Sequence, residues 1–253
     1  KAPSETIAEP RTKPEGATWA KGPITVTTTQ YQYDGQGIVE PAYRHVFVVP
    51  SDGGSARQLT TGNFNHYGSL TWSPDSTHIF FSAYRSDDWE LVSDEADIYS
   101  VNLATKDIKQ ITNQSGAERS PVISPNGKLI AFNQEDRRPL AYTPDQIAIM
   151  DVNGNNIRLL TEDLDADANN LMWADDSKSL FFAYDERGIR KIGQVTTKGK
   201  LKEIAKGLGG TTLGRPYLSG GFHVANNTIA YTHGTSERPA NVAVINEEKI
   251  KIL

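Results

Sequence analysis

The sequence predicts an all-β fold, a β-propeller of four-stranded antiparallel blades, and three observations carry that expectation. One short motif recurs at a nearly constant step, each copy is followed by an apolar strand, and a second strand pair completes each unit. The motif stands at 70–76 around Trp72, at 122–127 around Ile123, at 171–177 around Trp173 and at 222–227 around Val224, giving steps of 51, 50 and 51 residues. A single four-stranded sheet cannot bury either of its apolar faces alone, so repeated sheets of this size stack face to face.

The elements follow in order along each unit. The first two strands of a unit meet at a turn pair, Asp75-Ser76, Asn126-Gly127, Asp176-Ser177 or Asn226-Asn227. These residue types tolerate the left-handed backbone of a tight hairpin. The second strands are His78–Ala83, Leu129–Phe132, Leu180–Ala183 and Ile229–Tyr231. The third strands are the β-branched runs Ile98–Leu103, Ile147–Val152 and Val242–Ile245, with Lys191–Val195 a weaker member. Polar turns lead from these into Ile108–Thr112, Ile157–Thr161, Leu201–Ala205 and Ile250–Leu253. An earlier copy of this half spans 45–60, so a partial first unit is expected to begin with Ile24–Tyr33. The expected organisation is an extended lead-in over 1–23, with four prolines, then blades over 24–253. The units are 24–60 (partial), 69–112, 121–161, 170–205 and 222–253, about five blades in all. Trp72, Phe80, Phe81, Trp173, Phe181 and Phe182 are expected to fill the gaps between blades. Two stretches, 84–96 and 133–145, lengthen hairpin loops at equivalent places, where binding function concentrates.

Composition excludes several chemistries. The 253 residues carry 31 acidic and 26 basic side chains, a formal net charge of −5, and no basic run is longer than Arg137-Arg138. A surface that tracks phosphates needs a clustered positive face, so nucleic acid is not an expected partner. No apolar run approaches the roughly 20 residues that span a bilayer, and residues 1–5 show no signal-peptide pattern. The absence of cysteine excludes disulfides, a thiolate nucleophile and cysteine-held metal. That absence suits a cytoplasmic and a periplasmic location equally.

No catalytic residue is expected within the chain. The elbow pattern G-x-S-x-G fails at Gly53-Gly54-Ser55-Ala56-Arg57, at Gly234-Thr235-Ser236-Glu237-Arg238 and at Tyr217-Leu218-Ser219-Gly220-Gly221. Asp163, Asp165, Asp167 and Asn169 have the alternate spacing of a calcium loop. Ala168 and Ala174 stand where its glycine and bidentate glutamate belong, so a solvated acidic loop is the reading. The five histidines, His45, His66, His78, His223 and His233, lie scattered through the units. No metal site and no cofactor are expected.

The ordered motifs resemble a known family. Trp72-Ser73-Pro74-Asp75-Ser76 and Ser124-Pro125-Asn126-Gly127 resemble the propeller repeats of the prolyl oligopeptidase family of serine peptidases and of the Tol-system periplasmic propeller. Tyr33–Gly37, Arg44–Pro50, Gly53–Thr60, Phe181–Asp185 and Gly214–Tyr217 are similar to the acylaminoacyl-peptidase and dipeptidyl-aminopeptidase branch of the former, over residues 15–253. That resemblance implies a propeller of typically seven blades capping a C-terminal α/β-hydrolase domain that supplies Ser, Asp and His. The chain would then be a non-catalytic fragment that gates access and lines the cavity for a peptide substrate. Arg215 with Tyr217, Arg85 and Arg138 are the substrate-lining candidates, because a planar guanidinium binds carboxylates bidentately. Five blades taken from a larger ring also imply exposed blade faces and a homo-oligomer, or closure as a strained smaller ring. Two further readings stay open: a stand-alone Tol-system-like propeller that binds protein partners, and a polysaccharide-lyase propeller with a histidine-bound metal.

Overall fold

The computed structural model describes residues 12–18, 24–39, 42–92, 94–136, 142–210, 220–226, 228–235, 237–246 and 249–253, and every regular element among them is a strand. Four antiparallel sheets follow one another along the chain. The second blade holds β5 (His66–Trp72), β6 (His78–Ala83), β7 (Asp97–Asn102) and β8 (Ile108–Gln110). The third holds β9 (Ala117–Ile123), β10 (Leu129–Glu135), β11 (Gln146–Asp151) and β12 (Arg158–Leu159). The fourth holds β13 (Asn169–Trp173), β14 (Ser179–Glu186), β15 (Ile189–Thr196) and β16 (Leu201–Lys206). The fifth holds β17 (Phe222–Ala225), β18 (Thr228–Thr235), β19 (Arg238–Asn246) and β20 (Lys249–Ile252). In each sheet the strands are hydrogen-bonded in sequence order, the meander of a propeller blade.

Alternation along the middle strands explains why blades stack. Successive side chains point to opposite faces, and both faces of a middle strand are covered. Phe81 therefore joins a core with Val46, Leu59, Ile79 and Tyr99, shared with the first unit. Its neighbour Phe80 joins Ile130, Phe132 and Met150 on the side of the third blade. Ile147 and Ile149 pack with Leu180 and Phe182 between the third and fourth blades, while Ala148 turns back to the previous core. Ala183 and Ile192 meet Ile229 and Tyr231 between the fourth and fifth. Each fully buried phenylalanine contributes roughly 2 kcal/mol. Among the described residues, no such core joins the fifth sheet back to the first unit.

Two recurring polar devices hold the repeat in register. At the first hairpin, Ser76, Gly127, Ser177 and Asn226 have φ of 56°, 69°, 60° and 48°, the left-handed backbone that the turn pairs predict. The preceding Ser73 and Ser124 hydroxyls accept the amides of His78 and Leu129 at 2.9 and 3.0 Å. At the outer edge, Thr60, Thr112 and Thr161 are buried and accept the amides of Val46, Ile98 and Ile147 at 2.9, 2.9 and 2.8 Å. The carbonyls of the same three residues accept the amides of Leu59, Ile111 and Leu160. The recurrent threonine thus serves the third strand where the ladder leaves one N–H unpaired. In the fourth blade, Gly193 is required by close approach: a Cβ there would meet the Phe182 ring at 2.5 Å.

The first unit departs from expectation. Only Gln32–Tyr33 (β1) of the expected 24–33 strand is extended, and it pairs with Gly37–Ile38 (β2) alone. Phe47–Val48 (β3) and Arg57–Gln58 (β4) form a separate hairpin packed on the second blade. This explains a second difference. Trp173 is 8% exposed, with its Nε1–H donating to Val122 O at 3.0 Å on the inner strand of the preceding blade. Trp72, at the same place in its own blade, is 47% exposed and does not fill an interblade gap as expected. No described strand of the first unit lies where Val122 lies for Trp173.

Candidate functional site

A cavity of about 490 Å³ opens between the first unit and the second blade. Its walls come from 28–33, from Val39 and 42–44, from the start of β5 and from the long loop after β6. Tyr33, Tyr43, Tyr67, Tyr84 and Trp89 supply the aromatic lining, and Tyr43 meets Trp89 edge to face with ring centroids 5.8 Å apart. The loop is tied to the first unit by Thr29, whose amide donates to Glu90 Oε2 at 3.2 Å and whose hydroxyl donates to Glu90 O at 3.0 Å. Its far end is tied to the third blade, where the Gly116 amide donates to Glu95 Oε2 at 3.1 Å. Both acidic residues of the wall are therefore engaged with backbone amides. Burial raises the Tyr67 phenol above its ordinary range, so it stays a neutral hydroxyl at physiological pH.

Arg44 lines the cavity and is exposed. Its backbone is held on both sides: the amide donates to Asn65 Oδ1 at 3.0 Å, and the carbonyl accepts the His66 amide at 3.0 Å. The carbonyl also accepts His66 Nδ1 at 2.8 Å, which places the imidazole proton on Nδ1. The other ring nitrogen, Nε2, accepts Arg85 Nη1 at 2.6 Å. Burial lowers His66 to about 4, and the hydrogen bond from Arg85 needs that neutral form.

The sequence-derived lining residues fall in two groups. Arg85 does not line this cavity. Besides His66, it donates to Thr61 O at 3.3 Å, and its guanidinium lies over the Phe64 ring at 4.8 Å. Arg138, Arg215 and Tyr217 lie outside the described residues. The lengthened loop expected to carry function does reach the cavity, through Tyr84, Trp89 and Glu90 rather than through Arg85. Sequence reading missed Tyr43, Tyr67 and Arg44, which belong to different units. Of these only Tyr43 carried a signal, the density of aromatics around 31–43.

A smaller cavity of about 210 Å³ lies where β5, β9 and β13 approach one another. Its polar lining includes Arg119, Asn133, Asp145 and Asn169, and Arg119 is committed to Glu135 at 2.7 Å. Register shifts interrupt all three inner strands here, with Ser120 and Asn170 both at φ 55°. Of the calcium-like run, Asp167 Oδ1 accepts the Asp145 amide at 2.8 Å. Among the described residues, no group of three or more His, Cys, Asp or Glu side chains gathers as metal ligands would.

Comparison with known proteins agrees with this architecture. The family model described as PD40, TolB beta propeller domain, matches residues 31–212. Dipeptidyl-peptidase 5 of Porphyromonas gingivalis is 25% identical over 141 residues, which is 54% of this chain and 21% of that protein. The crystal structure of TolB from Acinetobacter baumannii superposes with a TM-score of 0.57 at 21% identity, covering 82% of this chain and 48% of that one. A puromycin-hydrolyzing peptidase of Mycobacterium tuberculosis gives 0.53 at 15% identity, covering 83% and 41%. The chain thus spans about a fifth of the curated relative and under half of either structure. At these identities the structural matches establish the propeller fold.

Proposed function

The chain belongs to the TolB beta propeller domain family, and from that membership we propose that it is the non-catalytic propeller part of a prolyl oligopeptidase family serine peptidase. In this reading it gates access to an α/β-hydrolase domain and lines the cavity that holds a peptide. The observation that carries it is the similarity to dipeptidyl-peptidase 5, which agrees with the ordered peptidase-like motifs. The chemistry of the larger cavity suits the ligand. Flat aromatic faces take apolar side chains, while Gln30, Asn65 and the tyrosine hydroxyls offer hydrogen bonds to a peptide backbone. Arg44 adds a cation able to pair with a carboxylate. Arg215, Tyr217 and Arg138 remain proposed lining residues, and Arg85 is proposed to support the wall.

Two experiments test this reading. The gene should encode a G-x-S-x-G elbow within a few hundred codons after the codon for Leu253, and a stop codon directly after Leu253 would overturn the peptidase assignment. In the enzyme encoded by the whole gene, Arg215→Ala should lower kcat/KM for short peptides while stability holds. An unchanged value would remove Arg215 from the site.

The fold match to TolB supports a second reading, a stand-alone propeller that binds a folded protein partner. Peptide cleavage by the whole gene product would refute it. A second copy of the chain is a further proposed partner. Trp72 and Leu70 on β5 are exposed, as are Phe47 and Val49 on the first unit. A monodisperse monomer in light scattering would contradict that assembly.

A further inference from the structure

A pair of carboxyl groups lies buried on the seam between the second and third blades, apart from the cavity lining. Asp97 opens β7 and Glu118 is the second residue of β9. Glu118 is 0% exposed and Asp97 9%. Gln110 Nε2 donates to Asp97 Oδ2 at 3.0 Å. The other three oxygens, Asp97 Oδ1 and both of Glu118, are buried without a partner in good hydrogen-bonding geometry, although the Thr112 hydroxyl lies near enough to Glu118 to favour its carboxylate. Carboxylates only accept, so two of them cannot satisfy each other. One proton removes the conflict, because a protonated Glu118 becomes a donor toward Asp97.

The surroundings favour that proton. Glu95 acts on both groups, and its charge is negative. Thr112 and Gln110 are neutral, and the Tyr67 and Tyr99 phenols are pushed upward mainly by burial, with the field of Asp97 adding to it. Arg119, next to Glu118 in β9, pairs with Glu135, and Arg85 is bound to His66 and Thr61. Burial is the main cause that raises Glu118 to about 8 and Asp97 to about 6.

The pair sits on a backbone stitch. The Glu118 amide donates to Ala96 O at 2.6 Å, the Ala96 amide donates to Gly116 O at 3.4 Å, and Ala96 and Ala117 form a parallel bridge. The residue before Ala96 is Glu95, which lines the cavity and whose carbonyl faces the Tyr67 hydroxyl at 3.5 Å. The seam and the cavity wall are thus one connected structure.

We propose that Asp97 and Glu118 share a single proton at neutral pH, and that this proton closes the seam between residues 95–97 and 116–118. At alkaline pH Glu118 gives the proton to water, two buried carboxylates face each other beside Glu95, and the stitch opens. The cavity wall at Glu95 and Tyr67 then shifts, which makes ligand uptake pH-dependent. That last consequence rests on the peptide-binding reading of the cavity; the proton linkage of the seam does not.

The test uses the whole chain. Carboxyl carbon NMR, with Glu118 assigned by its loss in Glu118→Gln, follows the titration directly. Amide exchange at Ala96 and Glu118, corrected for intrinsic rates, follows the stitch. The expected result is a Glu118 midpoint well above the ordinary glutamate value. Protection at both amides should fall about tenfold or more between pH 6.5 and 9, and by less than about twofold in Glu118→Gln, whose amide is a permanent donor. An ordinary midpoint for Glu118, or protection unchanged in the wild type, overturns the proposal. If Glu118→Gln fails to fold, the Glu118 carboxyl signal is assigned through its own backbone resonances in the wild type, and the two wild-type measurements decide alone. Titration with a short peptide at both pH values then reads the cavity separately.

Discussion

Replacing Thr161 by valine isolates the polar device that recurs at the outer edge of the blades. Thr161 is 1% exposed, and its hydroxyl accepts the Ile147 amide at 2.8 Å. Ile147 is itself fully buried, so no water can take over that amide when the hydroxyl is gone. Valine matches threonine in shape, so the change strands one buried N–H without opening a cavity. The cost of such an orphan is about 1–3 kcal/mol. For a domain of this size that corresponds to a fall in Tm of roughly 2–12 °C. Thermal melting of the purified chain measures the fall, and amide exchange at Ile147 should accelerate specifically. Thr161→Ser keeps the acceptor and loses only a methyl, about 1 kcal/mol, and should melt above Thr161→Val. If the valine variant is as stable as the wild type, with Ile147 equally protected, the threonine is not serving that amide.

Other perturbations read other parts of the molecule. Gly193→Ala drives a Cβ into the Phe182 ring and should cost about 1–3 kcal/mol in chemical denaturation; a variant of wild-type stability would mean the ring moves freely. Trp173→Phe removes a hydrogen bond across a blade interface and should destabilise by about 1–2 kcal/mol, whereas exposed Trp72→Phe should change stability by less than about 0.5 kcal/mol; equal effects would contradict their different burial. His66 is held neutral with its pKa depressed, so it favours the folded state above the unfolded value near 6.5. That contribution fades as pH falls toward about 4, by up to about 3 kcal/mol. The stability advantage of wild type over His66→Gln should therefore shrink between pH 7 and pH 4, and a constant difference would refute it. On the proposed reading of the cavity as a peptide site, Trp89→Ala removes the partner of Tyr43 and should weaken binding of a short aromatic peptide at least about tenfold in calorimetry; unaltered affinity would contradict that reading.

Much of the fold was legible in the sequence because it is encoded locally. The 50-residue step, the left-handed turn residues Ser76, Gly127 and Ser177, and the alternation that sends Phe80 and Phe81 to opposite faces all depend on neighbours a few positions away. The recurrent threonine was visible as a letter, but its task was not. An acceptor fourteen residues from its donor emerges only when the third and fourth strands are laid side by side.

What lies between units belonged to the tertiary structure alone. Trp72 and Trp173 carry the same motif, yet one is exposed and one buried, because the burial of each depends on the strand that the preceding unit places beside it. The cavity gathers Tyr33, Tyr43, Tyr67 and Trp89 from segments that no periodicity links, and Arg85 lies outside its lining, bonded to His66 and Thr61. Asp97 and Glu118 are buried only because two blades close over them. A repeat determines its own hairpins through short-range backbone preferences. Contacts between repeats depend on which face meets which, and that is decided only when the sheets pack.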